Sequence, residues 1–183
     1  VEVPSPLGVA VSPREEVYVI SEKQILRVEP SGATRLLVRD DLTAPRRLDV
    51  DPASEDFLVA EGRGDWRIKR FGTDRKLKRT YGRKGGRRSG AWHPGNFHAV
   101  TDIAADGEGG FVIVENFGPR RVARFDSEGE LLDEWFGGLE WAPWAEPDPR
   151  DPSSVWYFTP GWLIRAEVDY QAGRWQVAEA HRV

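Results

Sequence analysis

The sequence predicts an all-β fold made of about four copies of one four-stranded unit. Each copy has short runs rich in β-branched and aromatic residues, separated by polar or glycine turns, and no stretch keeps a helical period. An arginine recurs at one position of the third strand: Arg27, Arg70, Arg124 and Arg165. Four strands repeated every roughly 40 to 55 residues indicate a β-propeller, whose blades are arranged radially. A two-sheet sandwich, the other all-β candidate, requires no such repeat.

The strands of each unit follow from the local sequence in chain order. First strands are predicted at 9–12, 48–51 and 103–106, each ahead of a polar turn. Second strands are unbroken apolar runs at 17–20, 57–60, 111–114 and 155–158, which suits strands buried on both faces. Third strands, with the recurring arginine, are predicted at 25–28, 68–71, 122–125 and 163–166. Fourth strands close the units at 34–38, 76–81, 130–136 and 174–180, after turns rich in Gly, Asp and Ser.

These strands divide one domain, 1–183, into four predicted blades. The blades cover roughly 6–42, 43–82, 99–138 and 141–183. A single long insertion, 82–99, separates the second blade from the third.

The third unit resembles an NHL repeat. The resemblance rests on DIAADG at 102–107, FVIV at 111–114, RVARFDSEGE at 121–130 and WFG at 135–137. It covers most of the chain, is weaker in the first two units, and is weakest in the fourth, where 147–152 replaces the usual first turn. The resemblance implies a closed propeller of six blades, whereas this chain has residues for about four.

The shortage of blades has two physical explanations. Four blades can close a ring of their own. Alternatively the chain is part of a larger ring, and its open blades need a partner, because unpaired strand edges invite association. We expect an incomplete ring that associates with another copy of itself or belongs to a longer protein.

Composition is ordinary for one soluble domain. The chain of 183 residues is 39% apolar and 31% charged, with no apolar run of membrane-spanning length and no signal segment at its start, so we expect no membrane partner. It has no cysteine, which excludes disulfides and thiolate chemistry and leaves the compartment open.

Positive charge is concentrated between Arg63 and Arg88. This segment holds twelve bases and two acids, while the whole chain has a net charge of −4. Clustered bases attract phosphate backbones, so RNA or another polyanion is one alternative partner. The other interpretation is that these bases alternate along strands and pair with acids of neighbouring blades.

The insertion 82–99 gives the best candidate binding site. Loops that join blades and loops that join second to third strands emerge on the same face of a propeller, and long loops on a rigid scaffold often carry recognition residues. The candidate partner-binding residues are Arg63, Arg83, Lys84, Arg87, Arg88, Trp92, His93, His98, Asn116 and Arg120, with Glu115 and Phe117 nearby. A loop that merely bridges two blades is the alternative.

Catalysis has no positive support in the sequence. There is no nucleophile-elbow or phosphate-loop motif and no recognised spacing of metal ligands. A metal-dependent lactonase or lyase would have to gather Asp49, Asp102, His93, His98 and Asn116 in the channel, so we expect no catalytic residues, metal or cofactor.

Two further sets of residues are expected to be structural. The tryptophans Trp141, Trp144, Trp156, Trp162 and Trp175 are expected to fill gaps between blades. The four recurring arginines are expected to form stabilising pairs with other blades or with turn carbonyls, so Arg124→Ala should lower thermal stability. The sequence therefore predicts a non-catalytic binding or scaffold module whose partner is another protein or a second copy, with polyanion binding and metal-dependent catalysis as alternatives.

Overall fold

A computed structural model describes residues 2–137, 145–169 and 171–183. The predicted fold class is confirmed, because the strands form four antiparallel sheets in sequence order and the described residues contain no helix. It follows that no helix in this part of the chain could cross a membrane.

Each sheet is one blade. The first blade contains β1 (Pro6–Val11), β2 (Val17–Ser21), β3 (Gln24–Val28) and β4 (Thr34–Val38). The second contains β5 (Pro45–Val50), β6 (Phe57–Glu61), β7 (Ile68–Phe71) and β8 (Leu77–Tyr81). After β9 (Gly90–Ala91), the third blade contains β10 (Val100–Ala105), β11 (Phe111–Glu115), β12 (Arg121–Phe125) and β13 (Leu131–Phe136). The fourth contains β14 (Ala145–Asp148), β15 (Asp151–Thr159), β16 (Trp162–Asp169) and β17 (Arg174–Arg182).

The first strands begin about three residues earlier than the sequence predicts. In each of the first three blades, the early residues precede a shift in strand register, between Pro6 and Gly8, Pro45 and Arg47, and Val100 and Asp102. Such a bulge breaks the alternation of apolar and polar residues, so only the part after it reads as a strand. In the fourth blade β14 was not predicted, since its sequence is short, polar and contains proline.

Consecutive blades pack face to face over two hydrophobic cores. In the first two blades, we call the face that points toward the next blade the leading face and the opposite face the trailing face. The equivalent faces of the third and fourth blades take the same names. Between the first and second blades, Ile20 and Ile25 of a leading face share a core with Phe57 and Val59 of a trailing face. Between the second and third blades, the core contains Leu58, Ile68, Phe111, Ile113 and Phe125. The two cores hold the first three blades in one continuous arc.

The fourth blade does not continue this stack. Its trailing face, which includes Tyr157 and Ile164, packs with Trp92 of the insertion and Phe136 at the end of β13. The leading face of the third blade therefore stays open, with Val114 and Trp135 37% and 55% exposed.

The first blade is open on its trailing face. Val9 and Val11 are 63% and 58% exposed there, and Leu36 is also exposed. In the part of the chain that the structure describes, no strand of the fourth blade packs along a strand of the first. The described chain is therefore an open arc of three blades with a fourth blade attached to one side.

The recurring arginines pair mainly with acids of their own blade. Arg27 contacts Glu16, Arg124 contacts Glu108 and Arg165 contacts Glu179. Arg70 is the most buried of the four. Its Nη1 lies 2.9 Å from Asp51 Oδ2, and its Nη2 donates to the carbonyl of Gly109 in the third blade. The expected bond between blades is therefore seen at Arg70.

We predict that the four arginines contribute unequally to stability. Replacing Arg70 by alanine leaves the buried Asp51 without its cation and should lower the free energy of unfolding by roughly 3–5 kcal/mol. Arg124→Ala should cost less than about 1 kcal/mol, because its pairs are solvent-exposed. Urea unfolding followed by circular dichroism measures both, and equal losses would contradict the assignment.

Candidate functional site

The insertion 82–99 is tied to the fourth blade by a short strand. Its strand β9 pairs antiparallel with β17, so that Gly90 lies opposite Ala180 and Ala91 opposite Glu179. The Trp92 amide donates to the carbonyl of Ala178 at 2.9 Å, next to this pair. The insertion thus supplies a fifth strand to the fourth blade, which explains where that blade packs.

A buried carboxylate, Glu115, holds the insertion to the third blade. It lies at the end of β11 and is 1% exposed. Its Oε2 accepts hydrogen bonds from Arg87 Nη2 at 2.8 Å and from Arg121 Nε, while its Oε1 accepts the backbone amide of His98. One carboxylate therefore joins both ends of the insertion to the start of β12.

The two guanidinium groups extend this network. Arg121 is fully buried, and its Nη1 donates to Glu134 Oε2 at 2.8 Å while its Nη2 donates to the carbonyl of Pro94. Arg87 also donates to the carbonyl of Gly118. Two buried cations are thus balanced by two carboxylates, the arrangement that makes burial of charge tolerable.

Aromatic rings enclose the same cluster. The Arg87 guanidinium lies 4.2 Å from the ring centre of Trp92, and that of Arg121 lies 4.9 Å from it. The His98 ring lies between Trp66 and Trp162, with ring centres 4.9 and 5.3 Å away. The charged cluster is therefore packed among aromatic rings beneath the insertion, apart from the two cores between the blades.

Burial shifts the protonation of the groups in this cluster. Burial, and to a smaller extent the nearby Arg87 guanidinium, lowers the pKa of His98. Burial also raises the pKa of Tyr157, whose hydroxyl has no hydrogen-bond partner among the described residues. Both side chains are therefore held neutral at pH 7.

The predicted site residues separate by burial into three groups. The insertion does lie beside the β6–β7 loop, because the Gly85 amide donates to the carbonyl of Asp65. Arg87 is buried in the cluster, and its burial leaves little surface for a partner. Trp92, His98 and Arg120 are half-buried, and the exposed residues are Arg63, Arg83, Lys84, Arg88, His93 and Asn116. Partner binding by these exposed residues remains a prediction.

Half of the bases in the segment 63–88 are engaged in ion pairs. Six of its twelve bases pair with acids in the described residues: Arg67, Lys69, Arg70, Lys78, Arg79 and Arg87. The predicted pairing with acids of a neighbouring blade is seen for Arg79 and Arg87, which contact Glu128 and Glu115 of the third blade. The other four bases pair with acids of their own blade.

The candidate metal ligands do not converge. Asp49 Oδ2 accepts the Ala105 amide of the next blade at 2.7 Å, and Asp102 Oδ1 accepts the amide of Ile103. No three His, Asp or Glu side chains of the described residues come close enough together to hold a metal ion.

The tryptophans were expected to pack, and two of them do so at the fourth blade. Trp162 is 2% exposed, and Trp175 lies 5.2 Å from the ring of Phe136. Trp141 and Trp144 lie outside the described residues.

Sequence reasoning missed the role of Glu115, although the repeat contains a signal for it. The equivalent last residue of the second strand is Glu61 in the second blade, where it accepts the amides of Thr43 and Ala44 and pairs with Lys69. In both blades, the glutamate at the end of the second strand accepts backbone amides from the segment that precedes the first strand of the same blade.

Comparison with solved structures shows a β-propeller fold. Over 94% of its length the chain is similar to a chain of a nidogen/laminin complex, with 17% identity and a TM-score of 0.54. It is also similar over 92% of its length to virginiamycin B lyase from Staphylococcus aureus, with 18% identity and a TM-score of 0.51. A third likeness, to the extracellular domain of a one-component system from B. thetaiotaomicron, has 12% identity and a TM-score of 0.51 over 95% of this chain.

These likenesses concern the fold alone. The chain spans 64% of the matched nidogen/laminin chain, 53% of the lyase and 24% of the extracellular domain. No family model matches the sequence, and no curated protein matches it. The propeller class is thus shown, and membership of the NHL family remains a prediction.

We predict that Glu115→Gln strongly destabilises the protein. Glutamine keeps the size of the side chain but removes the charge that Arg87 and Arg121 share, so the free energy of unfolding should fall by roughly 3–5 kcal/mol. Glu134→Gln is the matched control and should cost less, because Arg121 keeps Glu115. A decrease of less than about 1 kcal/mol in the free energy of unfolding of Glu115→Gln, measured with urea, would contradict the role assigned to Glu115.

We also predict that His98 makes the protein less stable at mildly acidic pH. The unfolded chain takes up a proton near the ordinary histidine pKa of about 6.5, whereas folded His98 does so only at lower pH. Stability should therefore fall as pH drops through the unfolded value toward the folded one.

Thermal unfolding between about pH 7.5 and 5.5 measures this effect. His98→Asn should flatten the dependence, and His93→Asn, which changes an exposed histidine, should keep it. An unchanged slope in His98→Asn would show that other groups cause the loss.

Proposed function

We propose that this protein is a non-catalytic binding module that associates with a second copy of itself through its two open blade faces. The observation that supports the proposal is that the arc of three blades ends in an exposed apolar face on each side. Exposed contiguous apolar surface on a soluble protein commonly marks an interaction site.

The trailing face of the first blade is continuous across all four strands. Strand register places Val9 opposite Val19, Val19 opposite Leu26, and Leu26 opposite Leu36, so these side chains form one apolar row. The outer members of the row, Val9 and Leu36, are exposed, together with Val11 on the same face, whereas Val19 and Leu26 between them are 8% and 9% exposed.

The leading face of the third blade has a matching row. Register places Val114 opposite Val122, and Val122 opposite Trp135. All three side chains are at least 37% exposed. The two open faces are of the same kinds as those that already pack between the first and second blades and between the second and third.

A contact between the leading face of one copy and the trailing face of another would repeat this internal packing. Such a head-to-tail contact closes when its rotation completes a circle. Two arcs of three blades would supply the six blades that the NHL resemblance implies, and the 64% share of the nidogen/laminin chain fits a longer ring. Since the fourth blade packs on the insertion, it leaves the leading face of the third blade accessible.

The other functions have less support. The polyanion alternative is weakened because half of the basic segment is already paired within the chain. The lyase among the similar structures shares the fold with this chain at 18% identity, which carries no catalytic residue over.

Complementary charge substitutions test the proposal. Val9→Lys and Val114→Glu each bury an unpaired charge at both contacts of a pair of identical copies, so each variant alone should sediment as a monomer of 20.7 kDa. A mixture of the two variants keeps one unaltered contact and places Lys against Glu at the other. The mixture should therefore recover the dimer that the parent forms.

Sedimentation velocity at several concentrations gives the result, with circular dichroism to verify folding of each variant. Lys23→Glu, which changes a charge away from both faces, is the control and should dimerise. A parent that stays monomeric at high concentration, or a mixture that stays monomeric when the parent dimerises, would refute the proposal.

A further inference from the structure

A wide cleft separates the outer edge of the third blade from the tip of the fourth. Its volume is about 850 Å³, within the range of small-molecule and peptide sites. One wall comes from the end of β13, and the other from the β16–β17 hairpin with the start of β15. The cleft adjoins the buried cluster under the insertion at Glu134, which lines the cleft and pairs with Arg121.

Three aromatic rings line the cleft. Trp135 is 55% exposed, and Phe136 and Trp175 lie side by side with ring centres 5.2 Å apart. Trp135 is the exposed ring of the three, whereas Phe136 and Trp175 are half-buried against the hydrophobic core of the fourth blade. Aromatic faces of this kind attract cations and planar groups.

The charged groups on the walls are mostly acidic. Glu134, Asp151, Glu167 and Asp169 line the cleft, against one base, Arg174. Arg121 balances Glu134 at 2.8 Å, and Arg165 lies 3.8 Å from Glu167.

Two carboxylates of the cleft form no ion pair with the described residues, although Arg165 interacts electrostatically with one of them, Asp151. Asp151 accepts hydrogen bonds from the hydroxyls of Ser153 and Ser154, and Asp169 accepts the amides of Gln171 and Ala172. Neither is in an ion pair within the described ranges. These neutral donors fix the carboxylates in place but supply no positive charge.

We propose that this cleft binds a basic peptide segment, with an arginine guanidinium over the exposed ring of Trp135 and against the carboxylates of Asp151 and Asp169. A guanidinium is planar, stacks on aromatic faces and bonds carboxylates through two donors, so it uses both features of the walls. The volume of the cleft exceeds one side chain, which favours a short extended segment. Trp135 also belongs to the leading face of the third blade, so self-association would cover part of this cleft. Asp151 and Asp169 lie on the fourth blade, outside that contact, and a substitution there tests peptide binding apart from self-association.

Calorimetric titration with a peptide of alternating glycine and arginine tests the site at physiological salt, where long-range attraction is screened. The same peptide with citrulline in place of arginine keeps the planar shape without the charge and should bind roughly tenfold more weakly. Asp169→Asn keeps the oxygen that accepts the turn amides, and it should weaken binding of the arginine peptide about three- to tenfold.

Glu130→Gln is the matched control, because it removes one exposed negative charge of the third blade outside the cleft. It should leave the affinity unchanged. Three results would overturn the proposal: no binding of the arginine peptide, equal binding of the citrulline peptide, or equal weakening by Asp169→Asn and Glu130→Gln. Circular dichroism of each variant verifies that an altered affinity does not come from unfolding.

Discussion

The structure depends on one constraint, which is that each blade has two apolar faces and needs a neighbour on both. The first three blades satisfy it between themselves, through the cores around Ile20 with Phe57 and around Leu58 with Phe111. Among the described residues, the terminal faces of the arc have no such neighbour. Burying an apolar side chain contributes about 1.5–3 kcal/mol, so covering these faces would be favourable.

The insertion decides where the fourth blade lies. Its strand β9 completes the outer edge of β17, and Trp92 covers part of the trailing face of the fourth blade. Glu115 keeps the insertion in place by binding Arg87 and Arg121 together. Three of the candidate binding residues, Arg87, Trp92 and His98, thus have a structural role. The insertion directs the fourth blade away from the leading face of the third.

The repeat made most of the fold predictable, because the second strands of the blades, such as β2, β6 and β11, are mainly apolar runs whose pattern needs no tertiary information. The bulged starts of the first strands were misplaced, since a bulge interrupts the pattern that reveals a strand. Strand β9 was not predictable, because two residues become a strand only by pairing with β17, far along the chain. The burial of Arg87 escaped prediction for a similar reason, since its partner Glu115 belongs to another element.

The central claim is that the two open faces of the arc fit each other in different copies. The chain has no cysteine, so single cysteines can be placed at Leu36, on the outer strand of the first blade, and at Trp135, on the outer strand of the third. We expect a short bifunctional thiol reagent to join the Leu36→Cys variant to the Trp135→Cys variant in a mixture, and to join neither variant efficiently to itself. Equal crosslinking of each variant with itself, or none in the mixture, would contradict the claim.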